Sequence, residues 1–238
     1  MGDRSPMDVT AILLSWKRVG NLDKIIRSLQ GNSVEPKEII VINNNPGIQL
    51  AKPGTTVINC WKNFGCLIRH AIGMMATTSH CLFVDDDLKL GPKVIENFAH
   101  WRKKFPEAIL GYFGAILEKG DKPYSKKRNV HARKVKSATK VDIVKGRVHF
   151  CRTSKLHQSF RFVAESKLDI GHFSLKEDDI LLSLANRHYG HENYVIPIGA
   201  GAGYTELAEG GVSLSIPCGP HFAARDRAVR WIRGHDHV

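Results

Sequence analysis

The chain has 238 residues, 42% of them hydrophobic, with 21 glycines and 10 prolines. That is the composition of an ordinary globular protein, and it excludes collagenous and disordered classes. The 35 Lys and Arg against 23 Asp and Glu leave a net charge of +12, which draws the chain toward phosphates, nucleic acid, anionic lipid or acidic polymers without choosing among them. Apolar runs such as Ala11 to Leu14 and Cys81 to Val84 fall far short of the roughly 20 residues of a membrane helix, so no bilayer span is expected.

Met1 to Pro6 has no apolar h-region and places Pro6 where a myristoylation signal needs Ser or Thr, so neither export nor lipidation is expected. The five cysteines, Cys60, Cys66, Cys81, Cys151 and Cys218, lack C-x-x-C spacing. They read as small core residues in a reducing compartment, with Cys60 and Cys66 pairing only if the chain is secreted.

Val9 to Ser15 is an apolar run too short for a helix and suits a buried parallel strand. A helix follows, capped by Asn21, with Leu22, Ile25, Ile26 and Leu29 on one stripe and Gly31 at its end. Glu38 to Ile42 is a second buried strand, stopped by Asn43-Asn44-Asn45-Pro46-Gly47. Thr56 to Asn59 adds a short strand, Leu67 to Met75 a helix, Cys81 to Val84 a third buried strand, and Pro92 to Phe105 a helix turning Val94, Ile95, Phe98 and Trp101 inward. This alternation predicts an α/β fold with a parallel sheet, whose ligands bind beyond the carboxyl ends of the strands. Three such ends carry polar clusters: Ser15 to Arg18, Asn43 to Asn45, and Asp85 to Asp87.

After Tyr112 the pattern changes. Between Lys119 and Arg152, 12 basic residues crowd together with only Asp121 and Asp142 against them, as an acceptor loop for an acidic or phosphorylated glycan, a nucleic-acid surface, or a solvated or disordered loop. An apolar piece at Val148-His149-Phe150, a helix over Glu177 to Tyr189 and a final helix over Phe222 to Ile232 complete a mixed second half laid against the first, with no linker. Gly199 to Gly211 is a glycine-rich loop; Tyr204 stands where G-x-G-x-x-G needs its last glycine, so a loop closing over a ligand is expected instead of a dinucleotide motif.

Asp85-Asp86-Asp87 is the sharpest feature. Three carboxylates at a strand end repel at up to about 4 kcal/mol per close pair, unless solvent or a cation intervenes. Magnesium or manganese solves that problem, taking further ligands from water and from a substrate's phosphates. Glu177-Asp178-Asp179 opens a helix, where acidic residues suit the dipole; the same carboxylates suit a reaction that moves an acceptor proton or stabilises oxocarbenium charge.

Together, the strand-helix start, the polar end of the second strand and Phe83-Val84-Asp85-Asp86-Asp87 resemble nucleotide-diphospho-sugar glycosyltransferases of the GT-A fold. Trp101 to Pro106, Ile109 to Tyr112, Glu177 to Ile180 and Arg187 to Gly190 extend the likeness to the exostosin-like N-acetylhexosaminyltransferases, from about Val9 to Gly190. The resemblance implies one GT-A catalytic domain over 1–238, with a nucleotide-sugar half at about 8–112 and an acceptor half at about 113–238. It implies manganese, or magnesium, at Asp87, with Asp85 or Asp86 on the donor's ribose or sugar hydroxyls. Ser15, Arg18 and Asn43 would lie near uracil and ribose, Asn63 and Arg69 would face the nucleotide, and Asp178 or Asp179 would act at the transferred sugar. Arg227-Ala228-Val229-Arg230-Trp231 resembles the R-x-x-R-W element of inverting synthases, which places Arg230 on the leaving diphosphate, and His221 would complete the metal shell. Ser15-Trp16-Lys17-Arg18 departs from the family's Thr-Tyr-Asn-Arg-like stretch by Lys for Asn.

The expected donor is UDP-N-acetylhexosamine, ahead of UDP-galactose or UDP-glucose, and the acceptor a glycan or glycoconjugate. Lacking the family's membrane anchor, the chain is expected to be cytoplasmic or the excised catalytic portion of an anchored enzyme. A sugar-nucleotide-forming nucleotidyltransferase would need an early glycine-rich phosphate loop, which Ser15 to Gly20 does not supply. A basic nucleic-acid module would need a helix-turn-helix, zinc spacing or an aromatic platform, and none is visible.

Overall fold

The computed structural model describes residues 7–120, 122–172, 177–208 and 220–235, leaving out the side chains of residues 172, 220, 221 and 235. In chain order the strands and helices of the first half are β1 (Val9–Ser15), α1 (Leu22–Gln30), β2 (Glu38–Asn43), β3 (Thr56–Asn59), α2 (Ile68–Gly73), β4 (His80–Asp85), β5 (Leu88–Leu90) and α3 (Val94–Lys104). There follow β6 (Ile109–Gly111), β7 (Phe113–Ile116), β8 (Arg128–His131), β9 (Thr139–Val141), β10 (Ile143–Val144), β11 (Val148–Arg152), α4 (Thr153–Glu165), α5 (Asp178–His188), β12 (Asn193–Val195), β13 (Tyr204–Glu206) and α6 (Pro220–His235).

The central sheet runs β3-β2-β1-β4-β11-β6-β12-β9. Its first four strands are parallel and almost wholly apolar, because helices cover both faces and leave no solvated side to pattern. Ala11, Ile12, Leu13, Leu82, Phe83 and Val84 have no exposed surface, and burying each such large side chain contributes roughly 1.5–3 kcal/mol. Register fixes what meets at the carboxyl edge: Ser15 lies opposite Asn43, and Leu14 opposite Asp85.

The fold departs from a purely parallel sheet at β11, which runs antiparallel between β4 and β6. Its direction has a consequence for the site. Val148 pairs with Val84, so the turn feeding β11, Lys145-Gly146-Arg147, arrives at the carboxyl end of β4, where Asp85 N donates to Arg147 O at 2.9 Å. The basic tract is thus folded, not a loose loop: its strands β8 and β10 flank β7 in a second sheet, β10-β7-β8, and β9 lies at the edge of the first. A smaller apolar cluster joins α4, α5 and α6 through Phe162, Ile180, Leu181, Leu184, Val229 and Ile232.

Two further expectations are corrected, and one helix is added. Asn21 does not cap α1; its side chain donates to Asp86 O at 3.0 Å and Ala208 O at 3.1 Å, clasping the acidic turn. Within Gly199 to Gly211, Tyr204–Glu206 is not loop but a strand paired antiparallel with β5. α4 has no counterpart in the sequence reading, because its buried face carries Thr153, Lys155 and Ser159 beside Leu156, Phe162 and Val163, which breaks the apolar stripe. Cys60, Cys66, Cys81 and Cys151 are free, so Cys60 and Cys66 are not bonded; Cys218 lies outside the described residues. Among the described residues, no helix is long and apolar enough to cross a membrane.

Candidate active site

The acidic trio lies at the carboxyl end of β4, with Asp86 and Asp87 each only 6% exposed. Guanidinium groups relieve the mutual repulsion that the sequence assigned to a cation. Arg69 Nη1 donates to Asp85 Oδ1 at 2.7 Å, Arg18 Nη1 to Asp86 Oδ1 at 2.9 Å, and Arg147 Nη2 to Asp87 Oδ2 at 3.3 Å. Arg18 also reaches Asp87 Oδ2 at 3.5 Å, and Trp16 N donates to Asp86 Oδ2 at 3.1 Å. Burial, reinforced by Asp87 and Asp86, still pushes the Asp85 carboxyl up to about 7 against the pull of Arg69, and burial raises Asp86 as well.

The second acidic pair comes to the same place. Arg69 Nε donates to Asp178 Oδ2 at 2.7 Å, so one guanidinium bridges carboxylates 93 positions apart (178 minus 85). Burial opposes ionisation of Asp178, but Arg69 overcomes it and holds the carboxyl well below the usual carboxylate range. Asp179, at the first turn of α5, takes both oxygens to Arg225 Nη2 at 2.9 and 2.8 Å and accepts from Gly146 N at 3.3 Å. Gly146 is the pivot: its carbonyl accepts from Arg69 Nη1 at 3.0 Å, and a Cβ there would collide with that guanidinium.

Behind Asp178 lie two buried imidazoles. His70 Nε2 is 3.6 Å from Asp178 Oδ2 and 3.3 Å from His149 Nε2. Burial keeps both neutral, pulling His70 down to about 4 and His149 well below its ordinary value, the latter aided by Arg69.

The remaining expected residues divide. Ser15 is fully buried, and its Oγ has no hydrogen-bond partner among the described residues. Asn43 is consumed locally, donating to Ile48 O at 2.5 Å and Asn59 Oδ1 at 2.8 Å, while Asn63 Oδ1 accepts from Asn44 Nδ2 at 2.7 Å, so both brace loops at the carboxyl edge. Arg230 is on the exposed side of α6, whereas Arg225, five positions earlier, is buried on Asp179. The side chain of His221 lies outside the described residues. Arg147 and Gly146 are the additions that sequence reading passed over; their signal was the basic-Gly-basic turn directly before the apolar Val148-His149-Phe150.

Whether these residues suit a divalent cation turns on one atom. Asp87 Oδ1 is buried and has no hydrogen-bond partner among the described residues, which leaves one hard oxygen unspent at the carboxyl end of β4. Among the described residues no group of three or more His, Cys, Asp or Glu is arranged to hold a metal, so an ion here would take most of its ligands from water and substrate.

No protein-family model matches the sequence, and no curated protein matches it. By shape, 502 chains of solved structures match, a breadth that leaves the choice of activity to the site. Among them is one described as the crystal structure of S. aureus TarS, a glycosyltransferase, with a TM-score of 0.56 and 16% sequence identity, over 85% of this chain and 37% of that one. This chain therefore spans a little over a third of that neighbour. They share the fold, α/β with a large, mostly parallel central sheet flanked by helices.

Proposed function

We propose that the chain is a glycosyltransferase moving a sugar from a nucleoside-diphosphate donor, UDP-N-acetylhexosamine in the first instance, to a hydroxyl of a glycan or glycoconjugate. The observation that carries this reading is the convergence of Asp85 and Asp178, one from each acidic cluster, on one guanidinium, Arg69, at the carboxyl end of the parallel strands. Open sheets of this kind bind nucleotides there, and the fold shared with TarS agrees with it. The exostosin-like subtype rests on the motif resemblance alone.

In glycosyl transfer the acceptor oxygen bonds to the anomeric carbon, the bond from that carbon to the diphosphate breaks, and the acceptor proton passes to a base. Arg147, shared between Asp87 at 3.3 Å and Glu206 at 3.0 Å and 28% exposed, is the guanidinium best placed to turn toward a leaving diphosphate. Arg18 holds Asp86 and Asp87 in position for the donor. Asp178, ion-paired with Arg69, or Asp179, ion-paired with Arg225, supplies carboxylate charge beside the reacting carbon or takes the acceptor proton. Manganese or magnesium, bound at Asp87 Oδ1, would offset the charge of the diphosphate. A manganese-dependent hydrolysis screen across UDP- and GDP-sugars tests metal, base and sugar together. Release of UDP from one UDP-sugar is the expected result, and no turnover of any sugar nucleotide would count against the reading.

A further inference from the structure

Two lysines next to this site have no carboxylate of their own. Lys145 Nζ donates to Asn129 Oδ1 at 2.8 Å, and among the described residues neither Lys145 nor Lys127 makes an ion pair. Lys127 has extended backbone and stands just before β8, two positions from Asn129 and so on the same side of the strand. Its Nζ lies 4.1 Å from the centroid of Tyr124 and 4.7 Å from that of Phe222, and the Arg225 guanidinium sits 4.6 Å from the same Tyr124 ring. Nearby acids are already engaged: Asp179 with Arg225, and Asp226 with the Tyr124 backbone N–H. Burial, then the charges of Lys127 and Arg225, pulls Lys145 down to about 8, and burial with Lys145, Lys134 and Arg147 depresses His131. A half-buried ammonium with one amide oxygen as partner keeps two donors unspent, beside a second cation that repels it.

We propose that Lys127 and Lys145 form an oxyanion subsite on the acceptor side of the site, and that the acceptor carries a phosphate, sulfate or carboxylate near the hydroxyl that is glycosylated. This rests on the glycosyltransferase reading. An acceptor placement follows from topology: Lys127 directly precedes β8 and Lys145 directly follows β10, both flanking the second sheet across Gly146 from Arg147 and Asp87, whereas a donor nucleotide belongs at the ends of β1, β2 and β4. An anionic group there would accept from both ammonium groups and relieve their repulsion. Lys145, two residues from Arg147 and one from Gly146, would thereby tie acceptor binding to the turn that holds Arg69 and Asp179.

The probe is inorganic phosphate, titrated by calorimetry into the chain alone and into the chain saturated with UDP. Phosphate should bind in both cases, weaken about tenfold or more in Lys145→Met and Lys127→Met, and recover in Lys145→Arg, while UDP affinity shifts by less than about twofold. Phosphate binding unchanged in both methionine variants overturns the subsite. Loss of UDP affinity in those variants, or displacement of phosphate by UDP, overturns the acceptor assignment and gives the cations to the donor's diphosphate. If UDP does not bind the unaltered chain, the transfer reading fails, and the titration without UDP still decides whether the lysines take an oxyanion.

Discussion

Both ends of the central sheet bury charge, in different ways. At the amino end, Arg102 Nε of α3 donates to the neutral His80 Nε2 at the start of β4 at 3.1 Å, and Lys155 Nζ of α4 pairs with Glu107 Oε2, in the turn after α3, at 3.0 Å. At the carboxyl end, Arg18, Arg69, Arg147 and Arg225 hold five aspartates drawn from β4, its following turn and α5. The first arrangement ties α3 to β4 and α4 to the turn after α3. The second keeps many like charges within reach of one another and leaves the buried Asp87 Oδ1 without a hydrogen-bond partner among the described residues, which is how a site prepared for an anionic ligand and its counterion differs from a scaffold.

Substitutions that break one end and spare the other separate these roles. The largest effect belongs to Arg69→Met, which leaves Asp178 buried beside neutral imidazoles and strips Asp85 of its partner; a loss of about 3–5 kcal/mol in urea denaturation is expected, with any surviving folded protein inactive. Stability unchanged by that variant would mean that the bridge is not what joins α2 to α5.

Next comes pH. His70 and His80, one at each end, are both depressed by burial to about 4, so the folded chain binds fewer protons than the unfolded one between about 4 and 6.5. Their contribution is therefore present above about 6.5 and is lost as pH falls toward 4, by at most about 3 kcal/mol each. Asp85 opposes this, since a carboxyl raised to about 7 gains stability as pH falls from 7 toward 4. In metal-free buffer, Asp85→Asn should thus lose stability more steeply than the unaltered chain between pH 7 and 5; a shallower profile would contradict the sign.

The smallest effect is assigned to Arg102→Met at the amino end, which leaves His80 Nε2 without its donor and costs about 1–3 kcal/mol. Activity per folded molecule should not change. A kcat that fell with stability intact would show that the two ends are coupled.

The parallel half was legible because its strands are buried on both faces and therefore written as continuous apolar runs, Val9 to Leu14 and Cys81 to Val84 above all. The acidic turn was legible for the same reason, since polar residues directly after such a run can only lie at its carboxyl edge. What compensates those carboxylates was not. Arg69, Arg147 and Arg225 come from a short helix, a turn and the last helix, and no local pattern says that an antiparallel β11 would deliver Lys145-Gly146-Arg147 to the end of β4. Asn21 misled for a related reason: capping a helix and clasping a turn both call for a short polar side chain, and only tertiary structure shows that Asn21 holds Asp86 O or that Asn43 holds Ile48 O.

The central claim is that the carboxyl end of β4 binds a nucleoside diphosphate through a cation held at Asp87. Calorimetric titration of UDP in manganese and in EDTA, for the unaltered chain and for Asp87→Ala, tests it most directly. Affinity should fall about tenfold or more on removing either the metal or the carboxylate, with no further loss on removing both. Equal affinity in all four titrations would contradict the account.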